Sequence, residues 1–146
     1  MQALTEKGII PLLIKLLNEE CKELREQALW TIGNIVCEDK EYADLVIKCN
    51  IVLALPKVFE DLKDLSGAKI AYWALANIIR SSSILPLEFV KKVLPYLGSA
   101  VCKYENKEIL RNACWSLVYV VENSKKEQYE LFLKLAFIPK LIKLIS

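Results

Sequence analysis

Trp30, Trp73 and Trp115 stand 43 and 42 residues apart, each in the same local frame. The frames are Gln27-Ala-Leu-Trp30-Thr-Ile-Gly-Asn34, Ile70-Ala-Tyr-Trp73-Ala-Leu-Ala-Asn77 and Asn112-Ala-Cys-Trp115-Ser-Leu-Val-Tyr119. Ala lies two before each Trp, an aliphatic residue two after, and Asn, Asn and Tyr four after. A second set of marks keeps the same beat: Pro11, Leu53, Pro95 and Pro139 are 42, 42 and 44 apart. Each opens an apolar-periodic stretch, and proline in a first helical turn costs little because its missing donor would be unpaired there. Two unrelated marks sharing one period predict an internal structural repeat.

A period near 42 is that of armadillo and HEAT repeats, each a group of two or three helices. The pattern predicts short first helices at 41–48 and 127–134, with a reduced one near 86–90. Second helices are expected at 10–17, 52–62, 91–102 and 138–145, and third helices at 22–36, 67–80 and 107–122. Asn18, Ser66-Gly67, Ser81 to Ser83, Asn106 and Asn123-Ser124 are the stops and caps between them. One repeat cannot bury its own apolar face, so neighbours stack. The expected fold is all-α, a right-handed armadillo-repeat solenoid of about three repeats plus a partial terminal one. As one domain it divides into 1–37 (partial), 38–80, 81–123 and 124–146 (partial). Both ends read as unfinished, either cut from a longer solenoid or covered by partners, with self-association among the options.

The bulk numbers remove several functions. With 20 basic and 18 acidic residues the net charge is +2, too balanced to argue for nucleic acid or an anionic membrane. The apolar run from Ile70 to Ile79, between Lys69 and Arg80, is too short to span a bilayer. Met1-Gln-Ala-Leu-Thr-Glu6-Lys7 lacks the basic-then-apolar order of a signal peptide. Cys21, Cys37, Cys49, Cys102 and Cys114 are odd in number without a Cys-x-x-Cys pair, so neither a disulfide framework nor a metal site is expected, and free thiols suit a reducing compartment. The absence of His removes the commonest general base, and no Gly-rich phosphate loop or nucleophile elbow is present. No catalytic residue, no cofactor and no enzymatic activity are expected.

The third helices carry the chemistry. Residues four apart share a helix face, so Trp30 neighbours Asn34, Trp73 neighbours Asn77, and Trp115 neighbours Tyr119. Stacked helices repeat that pattern about every 10 Å, matching every third residue of an extended peptide. Asn donates to a peptide carbonyl and accepts from a peptide N–H. Indole faces attract ammonium and guanidinium groups over long aliphatic stems. Carboxylates beside them would select Lys or Arg: Glu26, Glu38 and Glu122 stand one turn from these marks, and Arg80 takes a similar place after Asn77. A Trp on a repeat helix is commonly core instead. Against that, Ala and Leu/Ile already mark the inward stripe, and a shared exposed surface is the simpler expectation for two Asn in register.

These residues resemble the importin-α family, the adaptors that carry nuclear localisation signals. The resemblance is to the family's third, fourth and fifth armadillo repeats. Glu26-Gln-Ala-Leu-Trp-Thr-Ile-Gly-Asn34-Ile is similar to the third, with Asp44-Leu-Val-Ile-Lys-Cys-Asn50-Ile51 after it. Trp73-Ala-Leu-Ala-Asn77-Ile-Ile-Arg80 resembles the fourth, including its Arg, and Ala113-Cys-Trp115-Ser-Leu-Val-Tyr119 the fifth. The resemblance implies a concave groove for an extended basic peptide, lined by Trp30, Asn34, Trp73, Asn77, Trp115 and Tyr119, with Glu26, Glu38 and Glu122 at acidic positions. It implies residence in cytoplasm and nucleus. Ile70, Asn112 and Cys37 depart from the family's Asn, Asp and Gly. A second-repeat helix, the later repeats and the basic tail that recruits importin-β have no counterpart in these 146 residues.

The expected function is therefore a peptide-binding module for a basic, nuclear-localisation-type segment of a cargo protein. The alternative is an armadillo scaffold binding an unrelated protein through its apolar ends or convex face.

Overall fold

The computed structural model describes residues 2–125, 128, 130, 132 and 138–146, with the backbone alone at 2–7, 141, 144 and 145. Every element in it is helical: α1 (Gln2–Leu16), α2 (Lys22–Glu38), α3 (Lys40–Lys48), a 3₁₀ turn (Ile51–Leu53), α4 (Leu55–Glu60), α5 (Leu65–Ser81), α6 (Leu87–Lys103), α7 (Lys107–Glu122) and α8 (Ile138–Ile145). Side-chain caps start three of them. Asp39 accepts from Glu41 N at 3.0 Å, Asp64 from Gly67 N at 2.7 Å, and Asn106 from Glu108 N and Ile109 N at 3.1 and 3.2 Å. Each satisfies donors that a helix start leaves orphaned. Among the described residues no helix is long and apolar enough to cross a membrane.

The third helices fall where the tryptophan frames place them, as α2, α5 and α7. The proline marks behave differently. Pro11 and Pro95 lie inside α1 and α6, not at helix starts. In α6 the buried residues Phe89, Val90, Val93, Leu94, Leu97 and Val101 form one stripe running past Pro95. Burial of that stripe, about 1.5–3 kcal/mol for each large side chain, outweighs the single backbone bond a proline removes. The reduced first helix and the second helix of that unit are thus one rod. Around Leu53 the reverse occurs. Asn50 is left-handed (φ 59°), a 3₁₀ turn follows, and α4 begins only at Leu55 with Pro56 in its first turn. The expected short helix at 127–134 lies outside the described residues except at 128, 130 and 132.

α5 packs between α2 and α7, making a row of three parallel third helices, while α3, α4 and α6 form the layer behind them. Ile32, Val36, Leu75, Ile78, Ile79, Val93, Leu97, Ile109 and Val120 fill the space between the layers and are fully buried or nearly so. Polar clamps join one unit to the next. Buried Arg25 reaches Asp61 Oδ2 at 2.8 Å and donates to the carbonyls of Glu19 and Glu20 at 2.7 and 2.8 Å. Lys22 pairs with Asp64, Lys57 with Glu20 at 2.7 Å, and Lys69 with Glu108 at 3.1 Å. Asp44 accepts from the Ser82 hydroxyl and Ser83 N–H, both at 2.8 Å, and so shapes the turn between α5 and α6.

Candidate functional site

All three tryptophans lie on the face of the third helices away from the second layer, but not at one depth. Trp30 and Trp115 are 51% and 55% exposed, whereas Trp73 packs part-buried against the core. The cause is the residue three positions past the preceding Trp. Beneath Trp73 it is Gly33, and a Cβ there would stand 3.0 Å from Cη2 and 3.1 Å from Cε3 of the indole, and closer still to Cζ3. The bare backbone lets the ring sink into the seam between α2 and α5. Before Trp115 the equivalent residue is Ala76, which carries the methyl that Gly33 lacks. Trp115 and Ala76 line one cleft with Asn77, Arg80, Asn112 and Tyr119. Trp115 and Tyr119 meet with ring centroids 6.1 Å apart.

The two asparagines are not equivalent. Asn34 is exposed, and its Nδ2 donates to the carbonyl of Trp30 at 3.0 Å, leaving its Oδ1 open. Asn77 is only 7% exposed, which corrects the expected shared surface. Its Nδ2 donates to the Gly33 carbonyl at 3.3 Å, and its Oδ1 accepts from Arg80 Nη2 at 3.2 Å. The sinking of Trp73 draws the same face of α5 against α2, and Asn77 finds there the partners that a buried amide needs.

The expected charge selectors also separate. Glu26 turns toward Gly67 of α5; its Oε1 is shielded from solvent and accepts no well-aligned hydrogen bond. The Lys22 ammonium 3.3 Å away therefore holds it by charge. Lys22 has its pKa raised, first by the Asp64 hydrogen bond and then by Glu26. Asp64 is held below the usual carboxylate range by the Gly67 N–H and by Lys22. Glu38 and Glu122 are exposed at the ends of α2 and α7. Arg80, exposed between them, also approaches Cys37 Sγ at 3.5 Å. Sequence reasoning missed Gly33, Ala76 and the Lys22–Asp64 clamp. The first two were visible as a glycine and an alanine at one register position. The third was hidden because neither residue belongs to the tryptophan frame.

Two solved structures share the backbone course over nearly the whole chain. A designed armadillo repeat protein in complex with the peptide (KR)4 superposes with a TM-score of 0.75 at 24% identity, covering 99% of this chain and 59% of the other. An engineered protein superposes with a TM-score of 0.73 at 20% identity, covering 94% and 55%. The armadillo/beta-catenin-like repeat family matches residues 2–37. The chain is an armadillo-repeat solenoid. Its armadillo repeats are similar to those of importin-α proteins. Importin subunit alpha-6 of Arabidopsis thaliana is 29% identical over 140 residues, covering 96% of this chain and 26% of the relative. Importin subunit alpha-3 of the same plant is 30% identical over 141 residues, with 97% and 26% covered. Importin subunit alpha-2 of Caenorhabditis elegans is 29% identical over 143 residues, with 96% and 27% covered. The chain thus spans about a quarter of the length of the curated relatives it matches.

A second concavity of this armadillo solenoid, ≈520 Å³, lies between α4, α5 and α6. Phe59 and Tyr96 stack across it at 4.5 Å, and the Tyr72 hydroxyl donates to the Tyr96 carbonyl at 3.1 Å. Burial pushes the Tyr72 hydroxyl well above its ordinary pKa, so it stays a neutral donor. Among the described residues no group of three or more Cys, Asp or Glu side chains is placed to hold a metal ion.

Proposed function

We propose that the chain is a non-enzymatic peptide-binding module that holds an extended Lys/Arg-rich segment, of the nuclear-localisation type, along the third-helix face. The observation that carries this reading is the row of tryptophans in matched positions of three stacked helices, the outer two more than half exposed. Trp30 and Trp115 are the slots for basic side chains. Trp73 is the floor between them. Asn34 offers its free Oδ1 to a peptide N–H, and Tyr119 supports Trp115. Asn77 contributes by holding Arg80 rather than by gripping the peptide. Glu38 and Glu122 attract basic side chains toward the two ends, and Arg80 places a positive charge in the middle. The (KR)4 peptide held by the designed armadillo protein supports the same ligand chemistry here. A cargo adaptor moving between cytoplasm and nucleus is the setting this implies.

Each cation–π contact is worth about 0.5–2 kcal/mol and each main-chain hydrogen bond about 0.5–1.5 kcal/mol net. With so few rungs, affinity on the order of micromolar or weaker is expected. Calorimetric titration with a lysine-rich peptide tests this, and Trp30→Ala and Trp115→Ala should each weaken binding about two- to thirtyfold. Absence of heat, or heat unchanged in the double variant, would sink the reading. A second reading, a scaffold acting through its apolar ends, is favoured by the exposure of Val118 and Val121 on α7.

A further inference from the structure

The repeat is its own control for the concavity between α4, α5 and α6. Counted from the tryptophans, Tyr72 matches Leu29 and Cys114. Counted from Pro11, Leu53 and Pro95, Phe59 matches Leu17 and Val101, Tyr96 matches Leu12 and Ala54, and Tyr104 matches Glu20 and Leu62. No other unit has an aromatic residue at any of these positions, so the stacking of units does not call for one. Yet the four rings gather at a single seam. Phe59 and Tyr96 lie nearly parallel, 17° apart in plane with centroids at 4.5 Å, and Tyr72 meets Phe59 and Tyr104 edge-on at 5.1 and 5.8 Å. Tyr72 is the buried floor, its hydroxyl fixed on the Tyr96 carbonyl. The other three rings are half-buried and line the open concavity, with exposed Glu60 of α4 and Lys103 of α6 at its rim.

We propose that this concavity binds a proline-rich segment of a partner protein, in the polyproline II conformation and flanked by a Lys or Arg. The lining donates more than it accepts. The hydroxyls of Tyr96 and Tyr104 and the Lys103 ammonium are donors, and Glu60 is the one anion among the described residues that line it. Burial, and then the charge of Glu60, raise the Tyr96 pKa, so its hydroxyl keeps its proton. Such a lining suits a backbone that offers carbonyls and few N–H groups, which consecutive prolines provide. A helix would bring carbonyls already paired internally, and a lone strand would bring N–H groups for which the site has no open backbone edge. Flat ring faces receive the pyrrolidine rings, as in other aromatic-lined proline grooves. Glu60, beside Tyr96, supplies the charge that selects a basic flank. Because α4 and α6 belong to the layer behind the third helices, this site works independently of the tryptophan face.

The probe is a fluorescein-labelled peptide, Arg-Ala-Pro-Pro-Leu-Pro-Pro, followed by anisotropy against the full chain. Saturable binding is expected, and the same peptide with every proline changed to alanine should not bind. Tyr96→Phe and Tyr104→Phe keep the rings and their packing, and each should weaken binding about two- to tenfold. Glu60→Lys, an exposed change, should weaken it about threefold or more. A peptide that starts with Glu in place of Arg should then bind the Glu60→Lys chain better than the parent, a gain that misfolding cannot produce. The paired change Trp30→Ala, Trp115→Ala should leave all of this unaltered. No binding, equal binding of the alanine peptide, or binding that ignores Tyr96→Phe, Tyr104→Phe and Glu60→Lys overturns the proposal. So does equal binding of a proline-free peptide carrying trimethyllysine, because the rings would then be a cage for a cation.

Discussion

Replacing Gly33 by alanine isolates the one contact that sets the shape of the groove. A glycine inside a helix is ordinarily a weakness, and alanine should gain about 0.5–1 kcal/mol. Here the new Cβ would stand 3.0–3.1 Å from two indole carbons of Trp73, inside the 3.4–4 Å of ordinary contact, and nearer still to a third. The neighbour is a wedged ring rather than the tip of a flexible chain, so it must tilt out of the seam. Overpacking of this kind costs about 1–3 kcal/mol. Moving Trp73 also disturbs the hydrogen bond from Asn77 to the Gly33 carbonyl, worth about 0.5–1.5 kcal/mol. The balance is a net loss of about 1–3 kcal/mol, or roughly 3–10 °C in Tm for a chain of this size. Urea denaturation followed by circular dichroism measures the loss. In a Trp30→Phe, Trp115→Phe background the remaining indole emission should shift to the red as Trp73 meets water. Ala76→Gly should act in the opposite sense on Trp115, drawing the ring inward and shifting its emission to the blue. If Gly33→Ala is as stable as the parent and its Trp73 emission is unchanged, the glycine is not what seats the ring.

Arg25→Met should cost about 2–4 kcal/mol, because it strands Asp61 and two loop carbonyls at once; chemical denaturation checks this. Asp44→Ala should cost about 1–2 kcal/mol at pH 7, since two hydrogen bonds to a partly exposed carboxylate disappear. Burial tends to raise the Asp44 pKa, but the bonds from Ser82 and Ser83 outweigh it and hold it below the usual value. The folded pKa is thus depressed, so this stabilisation is present above the unfolded carboxylate pKa of about 3.9 and fades as pH falls through the folded value. The difference between parent and Asp44→Ala, measured by urea titration from pH 7 to pH 2.5, should therefore shrink at the acid end. Thiol labelling should modify exposed Cys21, Cys37 and Cys102 before half-buried Cys114, whose pKa burial raises. Mass spectrometry after short exposure reads the order.

The tryptophan frames made the third helices legible, because a residue repeated in one frame marks one helix face whatever surrounds it. Pro11 and Pro95 misled, since a proline tolerated in a first turn is also tolerated mid-helix when a continuous buried stripe holds both halves together. Asn34 and Asn77 each stand four residues past a Trp, yet one is exposed and the other buried. That difference lives in Gly33, on the neighbouring helix, and becomes readable only once the stack pairs the two segments. Glu26 fails as a free selector for a similar reason. Its partner Lys22 lies one turn away on the same helix, a spacing at which opposite charges pair readily, and Gly67 leaves space for its carboxylate.

Among the described residues the clamps between units reach from one unit to the next: Arg25 to Asp61 spans 36 residues, Lys22 to Asp64 spans 42, and Asn77 to Gly33 spans 44. A chain tied this way resembles a zipper more than a knot. Its loops close over short distances, so assembly can start at any adjacent pair and spread outward. Loss of order runs the other way, from the outer helices toward α5, which has a neighbour on both sides. Hydrogen exchange should then be slowest around Trp73 and faster toward Trp30 and Trp115, leaving a firm centre between two yielding ends.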